Sequence, residues 1–136
     1  MMPSAVSGVP RIVLRTEGMT LLLTAVILYA RMDDSWWLFA ILFLAPDISF
    51  LGYLGGPRIG AIAYNAAHTL VGPLLLATAG MLLPVHILIP LVLIWVGHIG
   101  FDRLLGYGLK YEAGFDYTHL GRLRRANGDA PRRDAA

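Results

Sequence analysis

Four apolar stretches, separated by charged residues, prolines and glycines, restrict the fold of this chain more than any other feature. They run over about residues 18–30, 35–53, 58–83 and 86–109. A helix of about 20 apolar residues crosses the hydrocarbon layer of a bilayer, which is about 30 Å thick. The sequence therefore predicts an all-α, four-helix transmembrane bundle.

The composition agrees with lipid as the solvent. Of the 136 residues, 57% are hydrophobic and only 15% are charged, whereas a soluble domain is usually closer to a quarter charged. This length fits one domain. We expect a flexible N-terminus over residues 1–12, a transmembrane domain over 13–112 and a basic tail over 113–136. The chain has no cysteine, which excludes disulfides, thiolate metal sites and cysteine nucleophiles.

The positive charges predict the orientation. Four spans put both termini on one side, and ten of the 11 Lys and Arg residues would share that side, leaving Arg31 opposite. By the positive-inside rule we expect both termini in the cytoplasm and the protein in the cell membrane. The arginines from Arg122 onward would then set orientation or touch anionic headgroups, and we expect no nucleic-acid partner.

The beginning of the chain has a second interpretation. Arg11 and Arg15 precede a short apolar stretch, as in a signal peptide. Leu28 and Ala30 do not form a small-x-small cleavage site, so we expect this stretch to be kept as a membrane helix.

Ionisable residues inside the apolar stretches are the candidate functional residues: Asp47, His68, His98 and Asp102. Each costs about 2.5–3.5 kcal/mol at the centre of a membrane helix, so such groups normally face partners or a cavity. His98 and Asp102 are four apart and share one helix face. Helical rise puts all four residues, with Asn65, at or below the midplane on the cytoplasmic side. We therefore expect one shared polar site.

Four other residues are predicted to support this site. Tyr64 and Asn65 share a helix face with His68. Glu17 begins the first helix at the cytoplasmic boundary, from where its carboxylate would reach the cluster. His119 would close the site from below if the tail folds back.

A divalent metal is the first chemical hypothesis. Imidazole and carboxylate ligands suit zinc, iron or manganese, and the predicted ligands are Glu17, Asp47, His68, His98 and Asp102. A bound metal would activate water, with Asp47 and Asp102 in catalytic roles, to hydrolyse a lipid-borne ester, amide or phosphate from the inner leaflet. The predicted partners are the bilayer and a lipid or small amphipathic substrate. Oligomerisation is left open.

Three alternatives remain open from the sequence. The polar residues would serve as a structural network of hydrogen bonds between helices. They would also suit a small ion or proton transporter. Haem with His68 and His98 as axial ligands is the last alternative, and the neighbouring carboxylates disfavour it.

Several motifs follow one another along the chain: Arg-Thr-Glu17-Gly, Ser35-Trp-Trp-Leu-Phe-Ala, Leu-Ala-Pro-Asp47, Gly56-Pro-Arg-Ile-Gly, Tyr64-Asn-Ala-Ala-His68-Thr, Gly97-His-Ile-Gly-Phe-Asp102-Arg, Gly106-Tyr-Gly-Leu-Lys-Tyr111 and Thr118-His-Leu-Gly. In this order, over about residues 14–123, they resemble one family of small integral membrane proteins, DUF4260. The family has no established function. The resemblance therefore implies a four-helix membrane protein and assigns no activity to any residue.

Overall fold

The structure is a computed structural model that describes residues 5–123. Its helices are α1 (Gly8–Tyr29), α2 (Trp36–Phe43), a 3₁₀ helix (Ala45–Gly55), α3 (Pro57–His68), α4 (Val71–Leu82) and α5 (Leu88–Leu105). Two short strands, β1 (Tyr117–Thr118) and β2 (Gly121–Arg122), pair antiparallel after the last helix. The all-α class is confirmed, with this small hairpin as the one addition over the described residues.

Four helical stretches of the described chain are long and apolar enough to cross a membrane. They are Gly8–Tyr29, Trp36–Gly55, Pro57–Leu82 and Leu88–Leu105. Their outward side chains are apolar: Trp37 is 79%, Leu54 88% and Met81 83% exposed. Large exposed apolar surfaces of this kind indicate contact with lipid or another apolar partner. The predicted number of spans is confirmed, and the chain has the character of a multi-pass membrane protein.

Two of the four spans are interrupted, each next to a proline. The second changes from α2 to the 3₁₀ helix at Pro46, which lies in the first turn of that helix. The third breaks after His68, because Pro73 has no N–H for the carbonyl of Thr69 and its ring crowds that group. The second span therefore changes its helix type without an extended residue, whereas the third is broken by the extended backbone of Thr69. Each interruption lies beside a member of the predicted polar cluster.

Helices α1 and α5 run antiparallel and approach closely through glycines. A Cβ atom at Gly18 would lie 2.8 Å from the carbonyl oxygen of Gly100, and one at Gly100 would lie 2.6 Å from that of Gly18. Small residues allow such close approach between membrane helices. Helix α1 begins at Gly8, well before residue 18, where the first apolar stretch starts. Within this first part of the helix, Arg15 Nε donates to the carbonyl of Leu104 at the end of α5 (2.8 Å).

After α5 the chain folds back against the same end of the bundle. Lys110 pairs with Thr118 as an isolated antiparallel bridge, and the backbone N–H of Val6 donates to the carbonyl of His119 (2.8 Å). Both ends of the described chain therefore lie together. The arginines of the predicted tail beyond residue 123 lie outside the described residues, and the predicted division into three segments stays a prediction.

Candidate metal centre

The predicted polar cluster exists. Asp47 of the 3₁₀ helix, His68 at the end of α3, and His98 and Asp102 of α5 each direct one donor atom to a common point, and these atoms lie within 4.8 Å of one another. The two imidazoles are buried, with 3% and 2% of their side-chain surface exposed. Three separate spans therefore converge on one site inside the bundle.

The distances within the cluster resemble those of a tetrahedral metal site. His68 Nε2 lies 3.1 Å from His98 Nε2, and each of these atoms lies 3.5 Å from Asp47 Oδ1. Asp102 Oδ2 lies 3.5 Å from His68 Nε2 and 3.8 Å from His98 Nε2. Four metal bonds of about 2.0–2.1 Å at tetrahedral angles would hold their donor atoms about 3.3 Å apart. The five distances that involve an imidazole, from 3.1 to 3.8 Å, are close to this value. The distance between the two imidazole nitrogens leaves no room for a porphyrin between them.

The backbone of α3 fixes the ring of His68. Its Nδ1 lies 2.8 Å from the carbonyl oxygen of Tyr64, and a carbonyl only accepts hydrogen bonds, so Nδ1 carries the proton. In the neutral ring the lone pair of Nε2 then points into the cluster. Carbonyl partners of this kind orient imidazole ligands in metal sites. His98 lacks such support, since its buried Nδ1 has no hydrogen-bond partner among the described residues.

The two carboxylates differ in how firmly they are held. Tyr64 donates its hydroxyl hydrogen to Asp102 Oδ2 (3.0 Å), and its ring stacks on His68 with the ring centroids 3.7 Å apart. The side chain of Asp102 is 13% exposed and that of Asp47 is 36% exposed. Asp102 is therefore held more firmly inside the bundle, whereas Asp47 is the most exposed member of the cluster.

The break between α3 and α4 positions His68. Helix α3 ends at this residue, which leaves carbonyl groups of its last turn without helical partners. Trp95 of α5 donates its indole N–H to one of them, the carbonyl of Ala67 (2.6 Å). Because Trp95 and His98 are three apart on α5, this bond holds the end of α3 beside the second imidazole.

Asn65 does not touch the cluster and has another role. Its side-chain oxygen accepts the backbone N–H of Lys110 (2.7 Å), and its amide donates to the carbonyl of the same residue (2.8 Å). These two bonds fasten the returning C-terminal segment to α3. The predicted supporting role of Asn65 is therefore indirect.

Lys110 lies beside the cluster and was not predicted to be a site residue. Only 5% of its surface is exposed. Its ammonium group donates to the carbonyl of Phe115 (2.8 Å) and lies 3.6 Å from the ring centroid of Phe115 and 4.9 Å from that of Tyr64. From the sequence alone, a lysine just past the end of a membrane span is expected to lie at the surface. No local signal distinguishes Lys110 from such lysines.

Two predicted site residues are not brought into the cluster. Glu17 is exposed and lines a separate cavity with Arg103. The reason is that Gly18 faces α5, and the preceding residue lies about 100° away around the helix. His119 does fold back with the C-terminal segment, but its Nδ1 accepts the backbone N–H of Leu109 (2.8 Å). The structure therefore does not support the prediction of Glu17 as a ligand.

Comparison with protein families gives one match. The model of the family described as a domain of unknown function, DUF4260, matches residues 11–123. Comparisons with curated proteins and with solved structures found no match. The matched range contains all four members of the cluster together with Tyr64 and Lys110. The chain belongs to the DUF4260 family.

Proposed function

We propose that Asp47, His68, His98 and Asp102 bind one divalent metal ion within the membrane. The observation that carries this proposal is the mutual spacing of the four donor atoms, between 3.1 and 3.8 Å for the pairs involving an imidazole. Zinc fits this tetrahedral spacing best, and iron and manganese accept the same nitrogen and oxygen donors. Two neutral imidazoles and two carboxylates also balance the charge of a divalent ion.

Elemental analysis of the detergent-purified full chain tests this proposal. We expect about one metal ion per chain in the wild type, and a large loss in His68→Ala and in His98→Ala. His86→Ala is the matched control, because His86 is exposed in the connection before α5 and lies outside the cluster. Metal contents near zero in all four proteins, after growth and purification with added zinc, iron or manganese, would contradict the proposal.

We further propose that the site hydrolyses an ester, amide or phosphate bond of a lipid-borne substrate. A divalent metal at such a site lowers the pKa of a bound water molecule to near neutral. His68, His98 and Asp102 would keep holding the metal, while the more exposed carboxylate of Asp47 would serve as the base for this water molecule. The water oxygen would bond to the carbonyl carbon or phosphorus while Asp47 takes its proton. The bond from that carbon or phosphorus to the leaving oxygen or nitrogen would then break, and the proton would pass from Asp47 to the leaving group.

The different settings of the two carboxylates support this division of roles. Asp102 is held by the hydroxyl of Tyr64, which suits a permanent ligand. Asp47 is the more exposed carboxylate, which suits a group that exchanges protons with substrate. We expect Asp47→Asn to keep more metal than Asp102→Asn and to lose turnover more completely.

Chromogenic nitrophenyl laurate and a nitrophenyl phosphodiester in mixed micelles are suitable first probes. Turnover of either probe by the wild type and by His86→Ala, with none by Asp47→Asn or His98→Ala, would support hydrolysis. Bound metal without turnover of either probe, at any pH at which the protein stays folded, would instead indicate a structural metal site.

A structural polar network is the second candidate, because the cluster is already connected without a metal. The two imidazoles are within hydrogen-bonding distance of each other, and Tyr64 bonds Asp102. Hydrogen bonds between membrane helices contribute only about 0.6 kcal/mol on average. Lower thermal stability of His68→Ala without any metal in the wild type would favour this candidate.

We also propose that both termini are cytoplasmic. The two ends of the described chain lie together, and ten of the 11 Lys and Arg residues would share their side of the membrane. Since the chain has no cysteine, single-cysteine variants report orientation without background. We expect a membrane-impermeant maleimide to label Asp33→Cys in intact cells and Ser7→Cys only after permeabilisation. The reverse pattern would overturn this orientation.

A further inference from the structure

The cluster lies between two cavities of different chemistry. One cavity, of about 400 Å³, is almost wholly apolar and includes Ala45, Pro46, Ala67, Ile94 and Trp95 in its lining. The other, of about 510 Å³, is lined by polar and aromatic residues that include Asp47, Tyr64, Asp102, Lys110 and Phe115. Two members of the cluster, Asp47 and Asp102, therefore face the polar cavity directly.

Helix α5 separates the two cavities along its length. Ile94 and Trp95 line the apolar cavity, His98 follows, and Asp102 lines the polar one. The second span and α3 also line both cavities, because Ser49 and Ala67 line the apolar one whereas Asp47 and Tyr64 line the polar one. A single molecule that reaches both cavities along α5 would pass His98.

Among the described residues, Lys110 is the cation that lines the polar cavity, and it is buried. Lys110 uses one of its three N–H donors on the carbonyl of Phe115, and an ammonium group has no acceptor, so its free donors suit an oxygen-rich or anionic group. Burial lowers the pKa of Lys110 to about 8, against the opposing effect of Asp116 and Asp102, so the group is mainly protonated at neutral pH. A divalent ion on Asp47 and Asp102 would cancel the negative charge of these two carboxylates. Asp116 would then be the remaining carboxylate in the described lining of this cavity that offsets the positive charge of Lys110.

From this arrangement we infer that the site takes an amphiphile whose hydrocarbon chain lies in the apolar cavity beside Trp95 and whose anionic head lies in the polar cavity beside Lys110. The position of the anionic head rests on the proposed metal site, because the metal ion would offset the charges of Asp47 and Asp102. The position of the hydrocarbon chain rests on the cavities alone. This inference narrows the substrate to a single-chain anionic lipid or a lipid that offers one chain and an anionic head to the protein.

Quenching of Trp95 fluorescence by brominated amphiphiles tests both parts. Trp36 and Trp37 are the two other tryptophans and are exposed, so Trp36→Phe with Trp37→Phe leaves Trp95 as the reporter in the full chain. The probes are dodecyl phosphate, dodecanol and dodecyltrimethylammonium, each with bromine on the terminal carbon, in non-ionic micelles with zinc present. We expect the phosphate to quench at about tenfold lower concentration than the alcohol, because only the phosphate forms a charged hydrogen bond with Lys110.

Two variants test the binding of the anionic head and of the hydrocarbon chain separately. Lys110→Met should remove the preference for phosphate while leaving quenching by the alcohol and the metal content unchanged. Ala45→Phe should fill the apolar cavity and weaken quenching by all three probes. Preserved tight quenching in both variants would overturn the inference.

The quenching experiment also distinguishes the proposed anionic lipid from other occupants of the two cavities. Equal midpoints for phosphate and alcohol in the zinc-bound wild type, or tighter quenching by the ammonium probe, would refute the anionic head. Relief of quenching by inorganic phosphate at the concentration of the amphiphile would assign the polar cavity to a free anion. Quenching by the alcohol in a protein that binds no metal would refute the proposed metal site and would still support binding of the hydrocarbon chain in the apolar cavity.

Discussion

The hydroxyl of Tyr64 and Oδ2 of Asp102 lie 3.0 Å apart, across two helices whose contacting residues are 38 positions apart in the chain. Tyr64 also offers its backbone carbonyl to Nδ1 of His68, 2.8 Å away. One residue thus holds a carboxylate with its side chain and an imidazole with its backbone. Both contacts fix groups of the proposed metal site without themselves reaching the common point.

Removing the Tyr64 hydroxyl should weaken metal binding and keep the fold. Partners that orient metal ligands typically contribute about 10–100-fold in metal affinity, so we expect a loss of this size in Tyr64→Phe. Competition with a chromogenic chelator measures it. Tyr53→Phe is the matched control, because the buried Tyr53 hydroxyl has no hydrogen-bond partner among the described residues. Equal affinities in wild type and Tyr64→Phe would remove this role.

Adding a methyl group between α1 and α5 should destabilise the bundle. In Gly100→Ala the new Cβ would lie 2.6 Å from the carbonyl oxygen of Gly18, so the helices must separate. Overpacking of this kind costs about 1–3 kcal/mol, and a lower midpoint of thermal unfolding in detergent would report it. Gly97→Ala is the control on the same helix, since its nearest contact would be an ordinary 3.5 Å. Similar midpoints for the two variants would contradict the close packing.

Asn65 should determine how firmly the C-terminal segment is attached. Asn65→Ala leaves two backbone groups of Lys110 unbonded, at a cost of about 1–3 kcal/mol for each buried group that stays unsatisfied. We expect faster hydrogen exchange over residues 109–123. Arg58→Ala serves as the control because its ion pair with Glu112 joins the same two segments but is exposed, and exposed pairs contribute little. Equal exchange in both variants would argue against the Asn65 attachment.

Acidification should loosen the same segment through His119. Burial, together with the nearby charge of Arg103, lowers the pKa of His119 below its ordinary value. The folded state therefore binds fewer protons than the unfolded state just below about pH 6.5, and stability contributed by the neutral ring falls as pH falls through that range. Protonation also puts a hydrogen on the Nδ1 atom that accepts the N–H of Leu109.

The exchange rate of the Leu109 amide, corrected for its intrinsic pH dependence, measures this effect. We expect its protection to decrease from pH 7 to pH 5 in the wild type. His119→Asn offers a side-chain oxygen in place of Nδ1 and should remain protected over the whole range. Constant protection in the wild type would exclude His119 as the pH-sensitive contact.

Spacing along single helices predicted part of the site correctly. The four-residue interval between His98 and Asp102 and the high cost of burying such groups in lipid were enough to place Asp47, His68, His98 and Asp102 together. The prediction of Glu17 as a ligand is not supported, because it used the depth of this residue in the membrane and not the direction in which its side chain leaves the helix. That direction is set by the contact between Gly18 and Gly100, a property of two helices and not of one.

The number of membrane spans and the main members of the cluster could be predicted from the sequence, since hydrophobic length and the cost of burying charge in lipid act locally. Four features required the folded chain: which helix faces meet, where the spans are interrupted, which nitrogen of His68 points inward, and the position of Lys110 beside the carboxylates. These features depend on contacts between residues far apart in the chain, such as Asn65 with Lys110 and Trp95 with Ala67. No local pattern in the sequence indicates such contacts, because the two partners of each contact lie in different segments of the chain.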